Sequence, residues 1–239
     1  AWAKGDLFMY EYVVERKVKR YRSDCSNTME QLRDMLYEKY DINTQFSLVG
    51  SGGDSRNMVT RNGDGPFDLD YNLVIISMPD QYRDNLKMLK DRVRDSLNKI
   101  VENTWFSDGK DSRSVITSIL HFKDSPEIEF SFDIAILTRN SNGNLCRLIH
   151  NNKGCWNENF TWNEVPHSKN VKDKADKLKR NGLWNVVREV YLDKKNMYLR
   201  RRDDNHPSFI IYVETINEVY GKYLSLIHIS EPTRPISIS

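Results

Sequence analysis

The apolar positions change their period along the chain, and those changes mark out its elements. Met29, Leu32, Leu36 and Tyr40 recur at three- and four-residue steps, which predicts an amphipathic helix over residues 28–40. Asn27 and Thr28 stand three residues before Glu30 and Gln31, the spacing of a capping box. Upstream, residues 7–18 mix apolar, aromatic and charged positions; they suit a helix or an edge strand, with helix preferred. Residues 41–43 break the first helix, and a strand starts at Gln45. A second helix follows the Ser77-x-x-Asp80 cap, with Tyr82, Leu86, Leu89, Val93, Leu97 and Ile100 along one face. Arg83, Lys87, Lys90 and Arg94 cover its other face and read as solvated.

Beyond residue 115 the period falls to two. β-Branched residues alternate over 115–122, Asp124-Ser125-Pro126 makes a turn, and 128–137 forms another strand. There Glu127, Glu129, Ser131 and Asp133 share one face, while Phe130, Phe132, Ile134 and Ile136 share the other. From Asn140 the texture changes. The loop NSNGN leads into an irregular segment holding Trp156, Phe160 and Trp162, and helical spacing returns over 170–181, 183–193 and 207–223. Trp156, Trp162 and Trp184 read as core residues. The expected fold is α+β: a mixed β-sheet flanked by helices, followed by a helical region. Residues 1–44 are expected to form an N-terminal helical segment packed on the core, 45–140 the core itself, and 141–223 a helical C-terminal region.

Composition removes several classes of function. The chain has 239 residues, and 36 Lys and Arg against 34 Asp and Glu leave a net charge of +2. A global nucleic-acid footprint is therefore absent, although residues 16–22 and 169–202 are locally basic. Cys25, Cys146 and Cys155 are scattered with no CxxC, which fits a reducing, cytoplasmic setting. The positions of His150 and His167 relative to Cys146 and Cys155 do not match a structural zinc site, so no zinc is expected. No signal peptide and no bilayer-length apolar run is visible, so no membrane partner is expected. The opening AWAKGDLF, without an initiator methionine, reads as the start of a fragment or a processed chain. Residues 224–234, LSLIHISEPTR, resemble the translated end of a transposon-based sequencing adapter. Residues 224–239 are expected to be a non-native tail, which leaves the helical region incomplete.

The chemistry concentrates in residues 48–76, LVGSGGDSRNMVTRNGDGPFDLDYNLVII. Asp68 and Asp70, one residue apart on an apolar strand, project to the same face. Paired carboxylates repel, and hard oxygen donors beside a phosphate cradle suit Mg²⁺. Asp133, flanked by bulky apolar residues, needs a partner for a partly buried charge. In a two-metal arrangement, Asp68 and Asp70 would hold the cation that escorts a triphosphate. Asp133 with both of them would hold the one that activates an acceptor hydroxyl. The Gly50-Ser51-Gly52-Gly53 turn lets backbone N–H groups approach phosphate oxygens, and Ser51 and Ser55 add hydroxyl donors. Arg56 and Asn57 either touch phosphate or cap the loop.

A hydrophobic-Gly-Ser turn, a loop, Asp-hydrophobic-Asp and a third Asp on a later strand form a family pattern. Through Gly50, Ser51, Asp68, Asp70 and Asp133 the chain resembles the polymerase-β-like nucleotidyltransferase superfamily over residues 45–137. The loop between Ser51 and Asp68 is a few residues longer than that pattern, and a second register would use Gly52-Gly53 as the turn. The layout after the third aspartate is similar to bacterial oligoadenylate and cyclic-dinucleotide synthase-like enzymes. The resemblance implies NMP transfer from an NTP with two Mg²⁺ ions, Mn²⁺ being able to substitute. The implied acceptor is a nucleotide hydroxyl, giving a cyclic or linear oligonucleotide signal. It also implies triphosphate-binding lysines in the helical region, for which Lys172, Lys177, Lys194 and Lys195 are candidates. Two alternatives stand beside it: NMP transfer to a macromolecule (tRNA or a protein side chain), and a catalytically silent nucleotide-binding module.

Overall fold

A stripe of apolar residues longer than the capping pattern implied governs the first helix. The computed structural model describes residues 9–53, 56–166, 169–203 and 206–224. It opens on strand β1 (Tyr10–Tyr12) and helix α1 (Glu15–Tyr40), so the stretch expected to be helical from residue 7 divides. Val18, Tyr21 and Cys25 continue the spacing of Met29, Leu32 and Leu36 upstream, and all six are buried. The capping box does not form: Thr28 lies mid-helix, and its Oγ1 donates back to the Asp24 carbonyl at 3.1 Å.

In chain order there follow β2 (Asn43–Val49), a 3₁₀ turn (Gly50–Gly52), β3 (Thr60–Asn62) and β4 (Phe67–Ser77). Helices α2 (Asp80–Asp84) and α3 (Leu86–Val101) precede β5 (Lys110–Asp111), β6 (Ile116–His121), β7 (Ile128–Arg139), β8 (Leu145–Asn151) and β9 (Asn159–Glu164). Helices α4 (Lys169–Arg180), α5 (Trp184–Arg201) and α6 (Ser208–Tyr223) are the last elements among the described residues. The expected helix after Ser77 is thus broken at Asn85, whose side chain accepts from the Met88 N–H and starts α3 anew.

Two compact units result, one of residues 11–166 and the other of residues 1–10 with 167–239. The first holds a mixed sheet in the order β2-β4-β7-β6-β5, with β8 added to β7 and β9 to β8. Only β4 and β7 run parallel; every other pairing in this sheet is antiparallel. Helices α1 and α3 pack on one face of it, burying Leu32, Leu36, Leu89, Val93 and Leu97 against Leu69, Tyr71, Phe130 and Phe132. Tyr21 stacks on Phe130 with ring centroids 4.5 Å apart, which fixes α1 over β7.

Two further expectations fail in this unit. The segment after Asn140, read as irregular, forms β8 and β9, so the sheet runs on to Glu164. Cys146, Leu148 and His150 alternate into the interior, and three polar or charged residues among the seven of β8 had masked that period. Trp156 is 98% exposed rather than in the core, while Trp162 does pack partly against it. The second unit is helical as expected. Helix α6 packs on α4 and α5 through Ala175, Leu178, Val187, Tyr191, Ile211 and Ile216. Asn196 ties Tyr10 to α5 by a reciprocal pair of bonds, at 2.7 Å to its N–H and 3.1 Å to its carbonyl.

Candidate active site

Strand alternation and register assemble the site. Strand β4 turns Phe67, Leu69, Tyr71 and Leu73 into the helix-covered core and leaves Asp68, Asp70 and Asn72 on the opposite face. Strand β7 buries Phe130, Phe132 and Ile134 and leaves Glu129, Ser131 and Asp133 on that same outer face. Parallel pairing then sets Asp70 directly opposite Asp133, and Asp68 opposite Ser131. Val49 lies across from Asp70 on β2, Thr117 across from Asp133 on β6, and Lys110 across from Thr117 on β5. One row therefore crosses five strands, with two carboxylates at its centre on chains about 5 Å apart.

The carboxylates feel one another. Burial first, and then the charges of Asp68 and Asp133, push the Asp70 carboxyl up to about 6, against the opposing pull of Arg147 on β8. Asp133 is also raised, chiefly by burial and further by Asp68, while the Thr117 hydroxyl opposes the shift. Thr117 donates to Asp133 Oδ1 at 2.5 Å.

The glycine turn lies against this row. Gly50 has φ +63°, and a Cβ there would stand 2.6 Å from Asp70 Oδ2, so glycine is required both by conformation and by contact. A Cβ on Gly52 would meet Leu69 Cδ2 at 2.6 Å, and one on Gly53 would meet the Leu48 carbonyl at 2.8 Å. These two glycines let the turn pack on the sheet, whereas Gly50 faces the carboxylate. The Gly53 N–H donates within the turn to the Gly50 carbonyl at 3.3 Å. Ser51 follows Gly50 in the turn, and its carbonyl accepts from the Met58 N–H at 3.2 Å. Two arginines brace the turn through its carbonyls: Arg22 Nη2 donates to Gly52 O at 2.9 Å and Arg56 Nη1 to Gly50 O at 3.1 Å. Asn57 adopts φ +51° as the loop reverses. Ser55 lies outside the described residues.

Four contributors were not legible as such in the sequence. Thr117 reaches Asp133 only through the β6–β7 pairing. Arg147 sits in the stretch read as irregular. Arg22 belongs to the basic run 16–22, in which no single arginine stands out. Asn72 extends the Asp68–Asp70 face by one more step. The buried Oδ1 of Asn72 and Nε of Arg147 have no hydrogen-bond partner among the described residues. Of the lysines weighed for triphosphate binding, Lys172 is exposed and Lys177 reaches the Tyr220 hydroxyl at 3.4 Å. Lys194 pairs with Glu218 at 3.0 Å, and Lys195 is buried with its ammonium 3.9 Å from the Tyr10 ring centre.

Among the described residues no group of three or more His, Cys, Asp or Glu side chains is arranged to hold a metal ion. Mg²⁺ is commonly held by one or two carboxylates together with water and substrate phosphates, without a complete protein cage. The donor set fits such an ion: Asp70 and Asp133 are all-oxygen neighbours whose repulsion a divalent cation would relieve.

No family model matches the sequence, and no curated protein matches it. Solved structures do match. The Vibrio cholerae cyclic AMP-GMP synthase DncV, with a linear pppA(3′,5′)pG intermediate, superposes with TM-score 0.55 at 12% identity, over 86% of this chain and 68% of that one. A DncV structure with ATP and GTP gives TM-score 0.55 at 12% identity over the same shares, 86% and 68%. CdnC of Escherichia coli MS115-1 with ATP gives 0.49 at 16% identity, over 87% of this chain and 62% of that one. The DncV superpositions show that the chain has the polymerase-β-like nucleotidyltransferase fold. No helix among the described residues is long and apolar enough to cross a membrane.

Proposed function

We propose that this chain transfers an NMP group from an NTP to a hydroxyl acceptor and makes a cyclic or linear oligonucleotide. One observation carries the reading: Asp70 and Asp133 stand in register on parallel strands, with the Gly50 turn against Asp70. Asp68 and Asp70 would hold a Mg²⁺ ion beside the turn, with Asp133 completing the acceptor side. Bound there, the ions would supply charge neutralisation at the transferred phosphorus and a more acidic acceptor hydroxyl. Gly50 and Ser51 bring the backbone to the triphosphate, and Gly52 and Gly53 seat that turn on the sheet. The face of β7 beyond Asp133 then meets the acceptor. The fold relatives named above, whose structures hold nucleotides or a linear dinucleotide, support this reading.

The full chain incubated with labelled ATP, GTP, CTP and UTP in Mg²⁺ or Mn²⁺ is expected to release pyrophosphate and form a nucleotide product. Asp133→Ala is expected to lose at least about 10²-fold in rate, the scale of removing a transition-state electrostatic contact. Product formed at an unchanged rate by Asp133→Ala would refute the assignment. The alternative is a nucleotide-binding module without turnover. Calorimetric NTP binding without product would establish that reading instead.

A further inference from the structure

The row of residues across the sheet continues past Asp133, and its next member touches that carboxylate. Thr117 stands opposite Asp133 on β6, on the side away from Asp70. Its Oγ1 donates to Asp133 Oδ1 at 2.5 Å. A β-branched side chain on a strand has few χ1 options, so this hydroxyl is a stiff donor. That bond ties Oδ1 to the β6 side of β7, while Asp70 lies across β7 on β4. Asp133 is half-buried, and such a carboxylate needs a donor to stay ordered.

From this geometry we infer that Thr117 is a positioning residue for Asp133, holding it in the rotamer that a metal shared with Asp70 requires. The inference rests on the nucleotidyltransferase reading but concerns a residue which that reading does not use. Outer-shell donors to metal-binding carboxylates typically matter by about 10- to 100-fold in affinity or rate. Thr117 has a clean test, because Thr→Val keeps the shape and removes the hydroxyl, whereas Thr→Ser keeps the hydroxyl.

The experiment titrates Mn²⁺ into the full chain by calorimetry and measures kcat and KM for NTP turnover in parallel. Thr117→Val is expected to weaken Mn²⁺ binding by about 10- to 100-fold and to lower kcat by a similar factor with KM for the donor NTP within about threefold. Thr117→Ser is expected to stay within about threefold of the parent in both, since its hydroxyl can make the same bond. Should Thr117→Val unfold, Thr117→Ala and Thr117→Ser are compared at matched melting temperature, and the same contrast is expected between them. If hydroxyl-free variants bind Mn²⁺ and turn over like the parent, the inference is wrong while the nucleotidyltransferase reading stands. If the parent itself neither binds Mn²⁺ nor forms product, that reading fails and takes this inference with it.

Discussion

Asp70 shows how much of this site is written in single side chains. Its carboxyl is pushed up to about 6 by burial and by its two acidic neighbours. A carboxyl whose native pKa exceeds its unfolded value costs stability once ionised, so the native state loses stability as pH rises through the interval from about 4 to 6. Asp70→Asn is therefore expected to be more stable than the parent by about 1–3 kcal/mol at pH 7.5 without divalent metal, and to have lost turnover. The gap should close below about pH 4, where both forms are neutral; thermal melts across that range check it. Mg²⁺ with a non-hydrolysable NTP should raise the melting temperature of the parent but not of the variant, by mass action on the folded state. Gly50 gives a second contrast. Gly50 and Gly143 both have positive φ, +63° and +80°, but a Cβ on Gly143 meets nothing within 4 Å. Gly143→Ala should cost about 1 kcal/mol of strain and leave turnover intact. Gly50→Ala drives a methyl into Asp70 as well, and should cost more and abolish NTP turnover. Asp68, Asp70 and the turn were legible in the sequence because chemistry and spacing stand within one stretch. Thr117 was not, because its partner lies 16 residues away and nothing in either strand states which strands pair.

At the scale of elements, the sequence misjudged Lys90, which sat on the polar face of a helix and read as solvated. It is buried, pairs with Asp111 Oδ1 at 2.6 Å and donates to the Ser112 carbonyl at 2.6 Å. His150 Nδ1 lies 2.9 Å from Asp111 Oδ2, and His150 Nε2 lies 2.8 Å from Glu158 Oε1. These contacts pin α3, β5, β8 and the loop after β8 together on the face opposite the carboxylates. The network joins residues that are far apart in sequence, so periodicity alone could not show that one turn of α3 faces inward. Burial alone would raise Asp111; hydrogen bonds from Lys90 and His150 outweigh it and hold the carboxyl below its usual range. Burial lowers Lys90 despite its partner, which marks desolvation as the cost of the pair. A depressed carboxyl stabilises the fold above its unfolded pKa, and that contribution is lost as pH falls through its native value. Lys90→Met, which strands Asp111, is expected to cost about 3 kcal/mol at pH 7, with the deficit shrinking in acid as Asp111 protonates. Urea unfolding of both proteins at pH 7 and pH 3 checks this. An equal deficit at the two pH values would show that Lys90 contributes packing, not charge.

At the scale of the whole molecule, the proposed transfer raises the choice between a small and a macromolecular acceptor, and charge bears on it. The net charge is only +2, and several lysines of the helical unit are engaged within that unit. Lys174 donates to Asn217 at 2.6 Å, Lys179 lies 4.8 Å from the Trp184 ring centre, and Lys194 pairs with Glu218. A protein that tracks a phosphate backbone needs a continuous set of cations whose counterions are released on binding. Here α4 carries many lysines, yet those with described contacts stabilise helix packing, which argues for a small acceptor over tRNA. Label from α-³²P NTP is therefore expected in a species of dinucleotide or short-oligonucleotide size, resistant to phosphatase if cyclic. Adding tRNA should neither take up label nor slow product formation, and the rate should change little between 50 and 200 mM salt. A backbone-tracking enzyme with six to ten phosphate contacts would lose about 10³–10⁵ in affinity over that salt range. Charge reversal at exposed Lys172 gives the finer test: product formation unchanged by Lys172→Glu supports a small acceptor, whereas loss of label on an RNA acceptor in that variant would mark α4 as the acceptor surface.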